Sequence, residues 1–262
     1  KRASPGAEVS KNGTSADIEL SEADALKLTE LSREMAAAEL VLERRAQMYL
    51  EPFFLRRRAV LQSIPKFWPQ ALNNMGGTAL HLQHQQDQDA LSFLHDIWVV
   101  RDTTEPRCFT LEFHFKPNPY FSDEVLTKEY KYLATPTPDE TPVADGITNS
   151  MLLFNWEQNV APQKIIINWK DDPKHLTKLY PRVSGEDSDD MPAEPGSFFN
   201  YFEYADDPFD IGMAIATDLF PEAIDYFTGT AGDGLEFDDD SEDDEDEDDE
   251  EIDLEKPRKK QK

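Results

Sequence analysis

From Ser21 to Glu51 the chain contains neither Gly nor Pro and is dominated by Ala, Leu, Glu and Arg. That composition favours one uninterrupted helix, and roughly thirty residues make a rod of ~45 Å. Leu28, Leu31, Met35, Ala38, Leu42, Arg45 and Tyr49 step along it by three and four, so an apolar seam broken only by Arg45 runs down one face. Such a seam suits the core helix of a bundle or one half of a two-chain interface. The rod is too long for a domain of this size to cover, which favours the second. The expectation is a homodimer joined through Leu28, Leu31, Met35, Ala38, Leu42 and Tyr49, on a helix spanning residues 17–51 with its lead-in.

Pro52 is expected to stop or kink that helix. A second helical stretch, FFLRRRAVLQSI, follows, then a third, PKFWPQALNN; residues 76–89 fit a linker or a short helix. The period then changes. In CFTLEFHF, Phe109, Leu111, Phe113 and Phe115 alternate with Cys108, Thr110, Glu112 and His114, the pattern of a half-buried strand. LSFLHDIWVV (91–100), VLTKEYKYL (125–133) and KIIINW (164–169) read as companion strands, the first three close enough for an antiparallel meander. Eight of the 18 prolines lie between 134 and 196, which makes that region mostly loop. SFFNYFEY (197–204) and 210–228 read as helical, the latter interrupted at Pro221. The fold class is α+β, an antiparallel sheet flanked by helices over residues 52–229.

Charge divides the chain more sharply than hydropathy does. Residues 1–182 hold 25 acids and 21 bases; residues 183–255 hold 29 acids and no Lys or Arg; the last seven residues, KPRKKQK, add five bases. Residues 230–255 have too little apolar surface to offset chain entropy and are expected to be a disordered acidic tail, as residues 1–16 are expected to be a flexible arm. A field of this sign draws in cationic partners and repels nucleic acid and anionic membranes, which argues against direct DNA binding by the acidic region. No run approaches the ~20 apolar residues of a membrane span. The single cysteine, Cys108, allows no internal disulfide and suits a reducing compartment. No secretory leader is visible, and a chain opening on Lys1 is expected to be a trimmed sequence.

Catalytic signatures are missing. The eleven glycines form neither GxGxxG nor GxxxxGK[ST], there is no GxSxG elbow, and strand alternation points Cys108 away from the core. His81 and His84, with Asp87 beyond, have a spacing that two metal ligands on a helix would use. With no HExxH and no cysteine partners they read as solvent-exposed histidines instead. No catalytic residue, metal or cofactor is expected, and the chain does not read as an enzyme.

Three ordered segments carry more than composition: EPFFLRRRAVLQSIPKFW (51–68), FTLEFHFKPNPYFSDEVLTKEYKYL (109–133), and INWKDDPKHLT (167–177) followed by EPGSFFNYF (194–202) and DLFPEAIDYF (218–227). Together they resemble the nucleosome assembly protein family, and within it the SET/template-activating-factor branch, over about residues 20–228. The resemblance implies a homodimer of long helices with an α+β "earmuff" domain at each end. It also implies a histone chaperone that needs no cofactor and binds either or both core histone pairs. An alternative it leaves open is a regulatory scaffold that inhibits a protein phosphatase or assists a histone acetyltransferase. The apolar stretch ITNSMLLFNWEQNV within residues 134–163 does not align with the family and reads as an extra structural helix rather than a partner-binding segment.

Physical chemistry leads to a compatible place. Histones bind DNA through many phosphate contacts, and a competing polyanion holds them in soluble form. The acids expected to contact them on the folded domain are Glu194, Glu203, Asp206, Asp207, Asp210, Asp218, Glu222 and Asp225, those near aromatics giving orientation and the tail giving capture. The closing PRKKQK, with Lys256, Arg258, Lys259 and Lys260, resembles a nuclear-import signal, or else a basic end that folds back on the acids. Nuclear location, with shuttling to the cytoplasm, is the expectation.

Overall fold

The computed structural model describes residues 21–231, apart from 80, 104, 136, 138, 143 and 186–191. The arm, the start of the helix at 17–20, the acids at 186–190, nearly all of the tail and the basic end therefore lie outside the described residues. Helix α1 is Glu22–Leu61, 40 residues long, or ~60 Å. Ser21 caps it: its Oγ accepts from the Asp24 amide at 3.2 Å, with Glu22 and Asp24 in the positive first turn.

The helix continues through Pro52, where a stop or kink was expected, and absorbs the second predicted helical stretch. Proline leaves the Met48 carbonyl without its helical donor, but Met48 and Tyr49 face solvent, which serves that oxygen. The final turns are also held from outside. Arg57 donates to the Pro221 carbonyl at 2.8 Å, with its guanidinium against the Phe54 and Phe220 rings. Arg58 pairs with the buried Asp96 at 2.5 Å and lies over Trp98. Tertiary anchoring of this kind outweighs the ~3 kcal/mol helix cost of one proline.

Helices α2 (Phe67–Asn74), α3 (Gly76–Ala79) and α4 (Gln85–Leu91) lead to the sheet, and α7 (Leu176–Leu179) lies beyond it. Strands β1 (Leu94–Arg101), β2 (Phe109–Phe115), β3 (Val125–Tyr132) and β4 (Val160–Pro162) form one antiparallel sheet in that order. The β2 alternation is as expected: Phe109, Leu111, Phe113 and Phe115 are buried and the residues between them half-buried. Phe113 sits opposite Ile97 on β1 and Leu126 on β3. It meets the edges of Phe198 and Phe202 from the layer below, where α8 (Asn200–Glu203) closes the core.

Three expectations are corrected. The fourth strand is Val160–Pro162, not Lys164–Trp169. In the latter run the Ile165 amide donates to the Phe202 carbonyl, and Trp169 forms an isolated bridge with Phe121, outside the sheet. Ile165 and Ile167 thus tie the run to α8 and not to a ladder, while Ile166 is exposed. Cys108 is buried rather than outward, because the turn donating its amide to the Glu105 carbonyl ends the alternation before β2 begins; burial pushes its thiol up to about 12. His81 and His84 are not free in solvent. His81 is buried edge-on to Phe209, His84 stacks on Tyr180, and Asp87 is buried, accepting from the Ser197 hydroxyl and the Phe198 amide.

The apolar insertion forms α5 (Asn149–Leu152) and α6 (Trp156–Asn159). Arg107 donates to the Met151 carbonyl at 2.6 Å and lies 4.0 Å over the Phe154 ring, and Trp156 packs near Phe109 and Tyr130. These contacts pack the segment against the core, while Leu153 stays exposed. Beyond α8, α9 (Ile211–Ala214) leads through a π-turn at Ile215–Leu219 and past Pro221 to α10 (Ala223–Thr228). A two-stranded hairpin, β5 (Val183–Ser184) and β6 (Pro192–Glu194), stands apart from the main sheet.

Candidate functional site

The eight acids singled out from the sequence divide into two groups. Glu203 belongs to the fold: Oε1 accepts from the Trp169 indole at 3.0 Å and Oε2 from the Thr177 hydroxyl at 2.7 Å. It ties the Lys164–Trp169 run to α8, which is why it stands among aromatics. Asp207 is equally committed. It accepts from the Ile211 and Gly212 amides at 3.0 and 2.8 Å, capping the free donors at the start of α9, and from the Tyr130 hydroxyl. Gly212 is required there, since a Cβ would fall inside the Tyr130 hydroxyl.

Asp206 is exposed but paired, its two oxygens 2.6 and 3.0 Å from the two terminal nitrogens of Arg182. This contact holds its carboxyl below the usual range. Glu194, Asp210, Asp218, Glu222 and Asp225 are exposed with no cationic partner among the described residues. They sit on β6, at the left-handed turn before α9, in the π-turn and around the start of α10.

Lys128 was not foreseen. Strand alternation on β3 turns it inward with Leu126 and Tyr130, and it is fully buried. Its Nζ donates to the carbonyls of Tyr204 and Asp206 at 2.6 and 3.1 Å, and desolvation lowers it to about 8 despite Asp207 and Asp206 nearby. A lysine in the buried phase of VLTKEYKYL marks an internal cation, a signal legible in the pattern once the strand is accepted.

On α1 the seam stands clear of the rest of the chain. Leu28, Leu31, Met35, Leu42 and Tyr49 range from 50% to 86% exposed, and Ala38 is exposed with them. The flank carrying Ala36, Ala37, Leu40 and Val41 is half-buried, toward α5. In the protomer this apolar stripe is left to solvent. Among the described residues no metal-ligand cluster occurs and no helix is long and apolar enough to cross a membrane.

The model of the nucleosome assembly protein (NAP) family matches residues 30–230. A putative nucleosome assembly protein of Schizosaccharomyces pombe is 30% identical over 224 residues, covering 82% of this chain and 83% of that one. Nucleosome assembly protein 1-like 1-A of Xenopus laevis is 32% identical over 201 residues, covering 68% of this chain and 48% of the relative, so the chain spans about half of that protein. Among solved structures, Ccp1 is 26% identical with a TM-score of 0.59, covering 80% of this chain and 97% of that one. Vps75, at 16% identity and a TM-score of 0.54 over 78% of this chain and 97% of that one, is alike in fold. A long N-terminal helix before an antiparallel sheet, the match across residues 30–230 and these relatives agree: the chain belongs to the nucleosome assembly protein family.

Proposed function

We propose that the chain is a histone chaperone that works as a homodimer, holding core histones on acidic surfaces and shielding them from non-specific DNA contacts. The observation that carries this reading is the joining of a nucleosome assembly protein fold to a stretch, residues 183–255, with 29 acids and no Lys or Arg. Histone basic surfaces bind DNA by counterion release, so a concentrated, base-free run of carboxylates competes on the same terms. On the folded domain the contacts are assigned to Glu194, Asp210, Asp218, Glu222 and Asp225, which have no cationic partner among the described residues. Glu203 and Asp207 hold the framework. The exposed α1 seam supports the dimer, and PRKKQK supports nuclear import. The chemistry is binding, with no catalytic residue.

Titration of purified protein with each core histone pair at two salt concentrations tests it. Tight binding that weakens as salt rises is expected. Negligible histone affinity at low salt alongside tight binding to a phosphatase or an acetyltransferase would replace it with the scaffold reading.

A further inference from the structure

The turn after α8 holds a guanidinium seat that the chain fills with its own arginine. Arg182, in the approach to β5, holds its guanidinium over the Tyr204 ring, 4.8 Å from the centroid, while forking onto both oxygens of Asp206 at 2.6 and 3.0 Å. The two halves of this contact are held differently. The receiving half is fixed from inside, because buried Lys128 donates to the main-chain carbonyls of both Tyr204 and Asp206. It also faces outward, with the Tyr204 residue 40% and the Asp206 side chain 55% exposed. The donating half is a single side chain, 14% exposed, at the last Lys or Arg before residues 183–255. A planar fork over an aromatic face is the chemistry of arginine and not of lysine, whose ammonium is a point charge without a second parallel donor.

We propose that Tyr204 and Asp206 form an arginine-reading site for a basic protein ligand, and that Arg182 is its resident competitor, displaced when a ligand arginine takes the seat. The exchange swaps one guanidinium for another, so it is nearly neutral in energy at the seat. Affinity then comes from the surrounding carboxylates, while the seat decides between arginine and lysine. Displaced Arg182 has the carboxylates that follow it in the chain to turn to. The identity of the ligand rests on the chaperone reading; the seat itself does not.

The test uses the full chain and two fluorescent peptides of equal charge, one arginine-rich and one with every Arg replaced by Lys. The parent should favour the arginine peptide. Arg182→Ala should bind it about two- to fivefold more tightly, the worth of removing a partly exposed ion pair, with the lysine peptide little changed. Asp206→Asn should erase the preference. Arg182→Lys, which keeps the charge but loses the fork, should move in the same direction as Arg182→Ala and covers the case in which the alanine variant misfolds. Unchanged discrimination in Asp206→Asn, or no gain in either Arg182 variant, would make the contact a structural clamp only and overturn the proposal. If neither peptide binds the parent, the basic-partner reading is what has failed. The seat is then judged by methylguanidinium against methylammonium on the Arg182→Ala variant, read by tyrosine fluorescence: saturation by the first alone supports it, and equal or absent response refutes it.

Discussion

Gly212 shows how one missing side chain sets the geometry of the acidic turn. In a helix, Gly→Ala ordinarily stabilises by up to ~1 kcal/mol. Here the added methyl would occupy the place of the Tyr130 hydroxyl, which itself anchors Asp207. Gly212→Ala should therefore destabilise, by about 1–3 kcal/mol as for other overpacked sites, visible as a lowered urea midpoint; a raised midpoint would mean that Tyr130 moves aside freely. Lys128 invites a titration. Its folded pKa of about 8 lies below its ordinary 10.5, so between those values the unfolded chain binds the proton and the folded chain does not. Stability contributed by this group should rise from pH 8 toward 10.5, and the burial cost of the charge is fully present below pH 8. Comparing urea midpoints of the parent and Lys128→Met from pH 7.5 to 9.5 isolates it. The parent curve should climb relative to the variant, and parallel curves would mean that the buried lysine keeps its proton up to its ordinary range.

At the scale of an element, α1 does two jobs with one sequence. Its last turns dock on the sheet and on Pro221 through Arg57, Arg58 and Leu61, and its first two-thirds present the seam. Because Leu31 and Leu42 are 60% and 66% exposed in the protomer, replacing both with Asp should leave the protomer folded. In a dimer it would place unpaired charge in the interface, at several kcal/mol per buried pair. Light scattering should give monomer mass with an unaltered helical circular dichroism signal. An unaltered dimer mass would remove the seam from the interface.

For the whole molecule, the proposed chaperone divides capture, by the acids of residues 233–255, from hold, by the unpaired acids of the folded surface. Charges in a long acidic run act over a Debye length of ~8 Å and mostly change on-rates, whereas acids on a shaped surface change off-rates. Deleting residues 233–255 should slow histone association and flatten its salt dependence while leaving equilibrium binding reduced but present. Changing Asp210, Asp218, Glu222 and Asp225 to amides should speed dissociation with the tail intact. Stopped-flow with labelled histones separates the two. Loss of all binding on tail deletion, with parent behaviour in the amide variant, would make the tail the entire site. Glu203→Gln belongs to neither class: it weakens the tie to Trp169 and Thr177 and should lower stability instead.

Periodicity and charge are local properties, and what depends on them alone was legible in the sequence. The Gly- and Pro-free helix, the β2 alternation, the α+β order of elements and the base-free acidic third all follow from which residues stand next to which. The family was legible too, through three motif segments in order. The end of α1 was not, because Pro52 is overruled by contacts with residues that lie far along the chain, at Asp96 and Pro221. Nor was the fourth strand, since Ile165 and Ile167 have strand composition but find their hydrogen-bond partners on α8. The same holds for the acids. A carboxylate's neighbours in sequence do not reveal whether a cation or a row of amides awaits it in space. Glu203 and Asp207 became framework, Asp206 took Arg182 as its partner, and Asp218, Glu222 and Asp225 were left without a cation among the described residues only when the chain folded Trp169, Arg182 and the start of α9 against the first three.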